Sequence, residues 1–278
     1  MNLRELLNEG KKQLNSEIED SAIILKILVE YIFKIKKEQI ILSYDKELND
    51  EDVQVFFDKI TKLNMGIPIQ YITNIQEFMK LDFYVDENVL IPQPDTEILV
   101  EEVIKYYKDT TCKVLDLCTG SGAIGISIAK YIEDSNVMAT DISNKALQIA
   151  KLNAEKNLVH KKMEFVESDL FENIVQNKFN VIVSNPPYIR TSEINKLDMQ
   201  VQNEPHIALD GGNDGLFFYR IIAKNAYKFL EESGRLFLEI GYDQKDDVIQ
   251  LLQSTNMYKN IYSKKDLGGN DRIIVAEL

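Results

Sequence analysis

The stretch around Gly120 restricts the possible folds more than any other part of the chain. An apolar run, Val114-Leu115-Asp116-Leu117, leads into Gly120, Gly122 and Gly125, spaced as G-x-G-x-x-G. A helix-period run, Ala123–Tyr131, follows, and then a second apolar run, Val137-Met138-Ala139-Thr140, ending on Asp141. Glycines at this spacing let the chain turn tightly and bring its backbone against a ligand. A carboxylate closing the next strand can accept both hydroxyls of a ribose. The same sequence could make a tight strand–helix turn without any ligand. Alternation continues downstream. Ser143 is expected to cap a helix over 145–157, with strands over 163–167 and 179–184, a helix over 217–230, a strand over 235–240 and a helix over 246–253. At the end, 258–263 and 272–277 flank Leu267-Gly268-Gly269-Asn270 and read as antiparallel strands around a turn. This is an α/β pattern: a doubly wound, mainly parallel sheet covered by helices on both faces, with a reversed strand added at the edge.

The region before it is different. Leu3, Leu6, Leu7, Leu14 and Ile18 fall near helical spacing. Asp20-Ser21 is placed to cap a run reaching Phe33, and Asn49 to Asp52 open a third helix carrying Val53, Phe56, Phe57, Ile60 and Leu63, closed by Gly66 and Pro68. Tyr71 to Ile91 then alternates, rich in aromatics, and reads as a β-hairpin with Asp86-Glu87-Asn88 as its turn. The expected division is a helical domain over 1–72, a hairpin linker over 73–91 and a sheet domain over 92–278. Fold alone leaves the helical domain as either a stability cap or a recognition element.

Composition excludes several classes. The chain of 278 residues has 45 acidic against 32 basic side chains, a net charge of −13, which disfavours binding through phosphate neutralisation. Two histidines, His160 and His206, and two cysteines, Cys112 and Cys118, do not make a zinc centre or a disulfide framework. No apolar run is long enough to span a bilayer, and Met1-Asn2-Leu3-Arg4-Glu5 lacks the apolar core of an export signal. A reduced, cytoplasmic setting is expected, with no metal.

The glycine loop by itself does not separate dinucleotides from other adenosine cofactors. Asp116, just before the glycines, would repel a pyrophosphate and attract a cofactor bearing an ammonium and a sulfonium, so S-adenosylmethionine suits the loop better than NAD. Asp169, after the third strand, is placed to reach an adenine amino group, or else to cap the next short helix.

The fourth strand runs into Ser184-Asn185-Pro186-Pro187-Tyr188-Ile189. Two prolines force the chain out of the sheet at the carboxyl edge, where such folds bind ligands. The Asn185 amide oxygen and the restrained Pro186 carbonyl are two fixed acceptors, which is what a planar –NH2 group requires, and Tyr188 offers an aromatic face. Asn-Pro-Pro-Tyr in this position resembles the amino-methyltransferases of the class I methyltransferase fold, whose seven-stranded sheet has such an antiparallel tail. Together with Gln76-Glu77-Phe78, Val89 to Glu97 and Glu204-Pro205 to Gly212, the chain resembles the peptide chain release factor glutamine methyltransferases over nearly its whole length.

That resemblance implies transfer of a methyl group from S-adenosylmethionine to N5 of the glutamine in the Gly-Gly-Gln motif of class 1 release factors. It implies a cofactor held by Cys118, Thr119, Gly120, Ser121, Gly122, Asp141, Asp169, Leu170 and Asn185. Asn185, Pro186, Pro187 and Tyr188 would hold the substrate, with Asn185, Pro186 and Tyr188 acting in catalysis. The implied partner is the release factor itself, with no membrane and no direct nucleic-acid contact. Gln93, Cys118 and Leu170 stand where the family usually has Arg, often Gly and frequently an aromatic residue, respectively. An rRNA or DNA exocyclic-amine methyltransferase is the alternative within the class. An NAD-dependent oxidoreductase would give Asn185 to Tyr188 no task, and a non-catalytic binding module would not need its acceptors.

Overall fold

The computed structural model describes residues 1–16, 18, 20–175 and 178–278, and the chain separates into two compact units. The first contains Met1–Asn74 together with Asp198–Asn203. Its helices are Leu3–Gln13, Ser21–Phe33, Asp50–Asn64 and the short Ile69–Thr73. Asn2 and Glu5 form a reciprocal capping box that satisfies the amides at the first helix's start, and the Asn49 side chain accepts from the Glu51 amide at the third. Asp20 does not cap as expected. It sits in the left-handed region at φ 51° and makes no side-chain cap bond. Leu3, Leu6, Leu28, Phe56, Ile60 and Leu63 form the core of this unit. A Cβ on Gly10 would stand 2.8 Å from the Phe56 ring, so the absence of a side chain there sets how closely the helices approach. The short helix Met199–Gln202 belongs to this unit, with the Asn203 amide donating to the Gly66 carbonyl at 3.1 Å. Nothing in the sequence pattern signals that assignment.

The second unit contains Ile75–Leu197 and Glu204–Leu278. It opens on a small antiparallel hairpin, β1 (Gln76–Phe78) and β2 (Leu81–Phe83). The hairpin's turn lies at Met79-Lys80, both with positive φ, and not at Asp86 to Asn88. Neither residue is a type the turn rules favour, which is why the sequence pointed elsewhere. Val89 to Ile91 form no strand.

The main sheet contains β3 (Cys112–Leu117), β4 (Ser135–Asp141), β5 (Met163–Glu167), β6 (Phe179–Ser184), β7 (Leu230–Glu239), β8 (Lys259–Lys265) and β9 (Asp271–Glu277), in the order β5-β4-β3-β6-β7-β9-β8. The first five are parallel, and β9 runs antiparallel to both β7 and β8. The reversal therefore lies at the expected margin, with the reversed strand one place in from it. The helix expected over 217–230 ends at Asn225, and Leu230 already belongs to β7, whose pairing with β6 shifts register between Phe179 and Val181. No described helix is long and apolar enough to cross a membrane.

The order reverses at β3, which has β4 on one side and β6 on the other. In open sheets of this kind a crevice forms at the carboxyl ends of the strands flanking such a point. Asp141 ends β4 and Ser184 ends β6, so the two sequence features singled out above arrive at one crevice.

Candidate active site

A cavity of about 300 Å³ opens at this point, within the range of ~300–1,000 Å³ usual for small-molecule sites. Its wall includes Cys118, Gly120, Asp141, Asp169, Leu170, Asn185 and Pro187. Val89, Leu90, Ile142, Ile207, Phe217 and Phe218 supply apolar surface. Thr119, Ser121, Gly122, Pro186 and Tyr188 are not among its lining residues, and each lies within two residues of one that is.

The glycine loop is built from local hydrogen bonds. Asp141 accepts from the Gly120 and Ser143 amides, each at 2.9 Å, so its carboxylate is fixed at the mouth of the loop. Burial raises its pKa, against the pull of these amides. A Cβ built on Gly120 would meet nothing within 4 Å, which leaves an open cradle beside Asp141. Gly122 differs, because a Cβ there would lie 3.1 Å from the Ala150 Cβ, and its task is close packing of the loop on the helix Asn144–Lys156. Ser121 is buried, and its carbonyl accepts from Asn153 at 2.9 Å. Cys118 adopts φ 59°, the left-handed conformation that glycine takes without strain. Asp169 lies exposed at the rim, and Leu170, buried beside it, provides an aliphatic wall.

Asp116 does not face the cavity as the charge argument supposed. It is fully buried, and its Oδ2 accepts from the Thr119 hydroxyl at 2.6 Å and the Gly125 amide at 3.0 Å. It is therefore the internal brace of the loop. Burial pushes its pKa to about 7. Its other oxygen, Oδ1, is buried without a hydrogen-bond partner.

The opposite wall is held by residues far away in sequence. Gly211 packs on the backbone of Pro187 and Tyr188, where a Cβ would lie 2.6 Å from Tyr188 Cα and 2.9 Å from the Pro187 carbonyl oxygen. The Gln244 amide donates to the Tyr188 carbonyl at 3.0 Å, and Gly211 donates to the Ile189 carbonyl at 2.8 Å. The Tyr188 hydroxyl donates to Glu239 Oε1 at 3.3 Å, and the Thr96 hydroxyl donates to Glu239 Oε2 at 2.5 Å. Thr96 in turn accepts from Asn185 Nδ2 at 3.4 Å. Burial raises Glu239 to about 7, opposed by Thr96, Arg272 and Tyr188. A third buried acid, Glu204, accepts from the Ile91 amide at 2.8 Å, tying two loops that both contribute to the wall, and burial raises it also to about 7. Sequence reasoning missed Glu239 and Glu204 as parts of the site. The one available signal was an acid at the carboxyl end of an apolar strand, Leu236-Phe237-Leu238-Glu239. No cluster of potential metal ligands occurs among the described residues.

Residues 93–200 match the family model described as Methyltransferase small domain, and residues 5–73 match the PrmC N-terminal domain. A methyltransferase from Pyrococcus furiosus shares the fold, with a TM-score of 0.54 at 16% identity over 83% of this chain and 98% of that one. The release factor glutamine methyltransferase of Clostridium acetobutylicum is 41% identical over 95% of this chain and 93% of its own length, and that of Clostridium botulinum is 37% identical over 99% of both. A crevice at the strand reversal, an open glycine cradle on one wall and a restrained Asn-Pro-Pro-Tyr turn on the other thus occur in a chain that matches these proteins from end to end. It belongs to the release factor glutamine methyltransferase family.

Proposed function

We propose that this protein methylates the side-chain amide nitrogen, N5, of the glutamine in the Gly-Gly-Gln motif of class 1 release factors, with S-adenosylmethionine as donor. The observation that carries the reading is that Gly120, Asp141 and Asn185 line one cavity, so a cofactor cradle and an amide acceptor share a single chamber. The residues present fit the cofactor. Asp141 retains acceptor capacity for two ribose hydroxyls, Asp169 and Leu170 suit an adenine, and the open space beside Gly120 leaves room for the cofactor against the loop backbone. When bound, S-adenosylmethionine supplies an electrophilic methyl group on a sulfonium.

The chain's own contribution is alignment. An amide nitrogen is a poor nucleophile because its lone pair is delocalised into the carbonyl. The Asn185 oxygen and the Pro186 carbonyl would take its two hydrogens and hold the nitrogen toward the methyl carbon. Positioning of this kind can supply ~7–11 kcal/mol of a barrier. One N–H proton leaves as the nitrogen gains carbon. The two neutral acceptors are too weakly basic to keep it, so it passes to water. Tyr188, anchored on Glu239, fixes the turn that carries both acceptors.

These acceptors read only a generic –NH2, so selection of the release factor must come from elsewhere. The helical domain, residues 1–72, serves as the recognition element in this reading, and residues 73–91 link it to the methyltransferase domain. The cell compartment is the cytoplasm, where release factors act.

The test is methyl transfer from labelled S-adenosylmethionine to release factor, to a short Gly-Gly-Gln peptide and to ribosomal RNA, with the modified atom located by mass spectrometry. Label on the release factor glutamine is expected, and label on RNA alone would overturn the reading. Ile23, half exposed on the second helix, tests the recognition role. Ile23→Asp should raise KM for the intact factor and leave the peptide unaffected, whereas equal KM values would leave the helical domain as a stability cap.

A further inference from the structure

We infer that Thr96 and Glu239 form a hydroxyl–carboxylate relay that sets which end of the Asn185 amide faces the substrate, making both positioning residues for transfer. This rests on the glutamine-amide reading above. A threonine hydroxyl has one proton to donate and lone pairs to accept with. Its proton is committed to Glu239 Oε2 at 2.5 Å, so toward Asn185 it acts as an acceptor. Only the Nδ2 end of the Asn185 amide can satisfy it, and Nδ2 stands 3.4 Å from Thr96 Oγ1. The oxygen end is then left for the cavity that Asn185 lines.

The opposite flip would present an –NH2 group to a substrate that is itself an –NH2 donor, and no hydrogen bond would form. An isolated asparagine has little preference between the two orientations. Thr96 and Glu239, 4% and 2% exposed, impose one from inside the protein, where competing water is absent.

The relay's direction requires Glu239 to accept, which it does when ionised. Burial opposes ionisation and places its pKa at about 7, with Asp95 adding to that push. Arg272, from β9, and the hydroxyls of Thr96 and Tyr188 favour the carboxylate. Tyr219 bonds only the Glu239 main-chain oxygen, at 2.8 Å, and fixes the backbone without competing for the carboxylate. Above pH 7 the carboxylate accepts from two hydroxyls at once, one on each oxygen. Glutamine at this position would turn an –NH2 group toward one of them.

The decisive comparison is Thr96→Val, which keeps shape and removes the hydroxyl, against Thr96→Ser, which restores it. At pH 8, Thr96→Val should lower kcat for release factor about 10- to 100-fold, through lost alignment, with S-adenosylmethionine affinity within about twofold of wild type. Thr96→Ser should recover most of the rate, and Glu239→Gln should fall between the two. The direct readout is the Asn185 side-chain amide in nitrogen-15 NMR, assigned by its disappearance in Asn185→Asp. Its protons should exchange slowly with water in wild type and Thr96→Ser, and at least tenfold faster in Thr96→Val. Equal exchange in Thr96→Val and wild type, or full kcat in Thr96→Val, would overturn the relay. A wild-type enzyme that methylates no release factor would instead overturn the reading beneath it, and the amide exchange would still decide the relay.

Discussion

The two walls of the cavity are held in opposite ways. On the glycine-loop wall the defining bonds are short in sequence: Gly120 to Asp141 spans 21 residues, Gly125 to Asp116 spans 9 and Ser143 to Asp141 spans 2. On the acceptor wall Asn185 reaches 89 residues to Thr96, Thr96 reaches 143 to Glu239, and Tyr188 reaches 51 to Glu239 and 56 to Gln244. Backbone amides supply most donors on the first wall and side chains supply most on the second. A wall made from a strand–loop–helix unit is fixed as soon as that unit forms. A wall made from side chains of separate elements exists only when the whole sheet unit is assembled. The first therefore suits binding, which tolerates small displacements, and the second carries the alignment on which rate depends.

The contrast can be broken most severely at Asn185. Asn185→Ala removes an acceptor and frees the substrate amide to rotate, and kcat should fall ~100-fold or more, with cofactor affinity changed less than by Asp141→Ala. Single-turnover transfer beside calorimetry of S-adenosylmethionine binding measures the two. Next comes Gly211→Ala, whose Cβ would press on the Tyr188 and Pro187 backbone at 2.6 to 2.9 Å. Displacement of the turn should cost ~1–3 kcal/mol of stability, read by urea unfolding, and slow turnover about tenfold while leaving the opposite wall intact. Equal losses of cofactor affinity and rate would show that the walls are not separable.

Asp141→Ala should do the reverse, weakening cofactor binding at least tenfold, since each charge-assisted bond is worth ~1.5–3 kcal/mol. Unchanged affinity would remove Asp141 from the ribose. The smallest effect concerns pH. Asp116, Glu204 and Glu239 are held near 7 by burial, whereas free carboxyls ionise near ~4. Between those values the folded protein holds more protons than the unfolded chain, so stability falls as pH rises from about 5 to 8. Thermal unfolding at pH 6 should occur at a higher temperature than at pH 8. Glu204→Gln, which keeps an acceptor for Ile91, should flatten that dependence, and an unchanged slope would mean Glu204 does not titrate there.

The same division explains what the sequence made legible. The glycine spacing, Asp141 and Asn-Pro-Pro-Tyr are local patterns whose geometry follows from backbone rules, and the strands over 163–167 and 179–184 appear with those boundaries. What was misread depended on tertiary context. Asp116 was assigned to the ligand on charge alone, because nothing in the sequence shows that Thr119 and Gly125 fold back onto it. The hairpin turn fell on Met79-Lys80, whose positive φ runs against the intrinsic preference of both residues. Glu239 looked like any strand-terminal acid until the structure placed Thr96 and Tyr188 on its two oxygens. The placement of Asp198–Asn203 with the helical unit has no local signature.

The position of β9 also ties the margin of the sheet to the active site. Ile273 to Ala276 are buried between two strands that both precede them in the chain, and β7 pairs with β9 on the side away from β6. Until β9 enters, that margin of β7 stays open and β8 has no place to dock. Arg272 is the residue next to that buried run, and it brings its positive charge to Asp95 at 3.2 Å and to the field around Glu239. Insertion of β9 and completion of the acceptor wall are thus coupled. The bonds that set the Asp141 loop involve no residue of β9, so a defect in this strand should weaken reaction before it weakens binding.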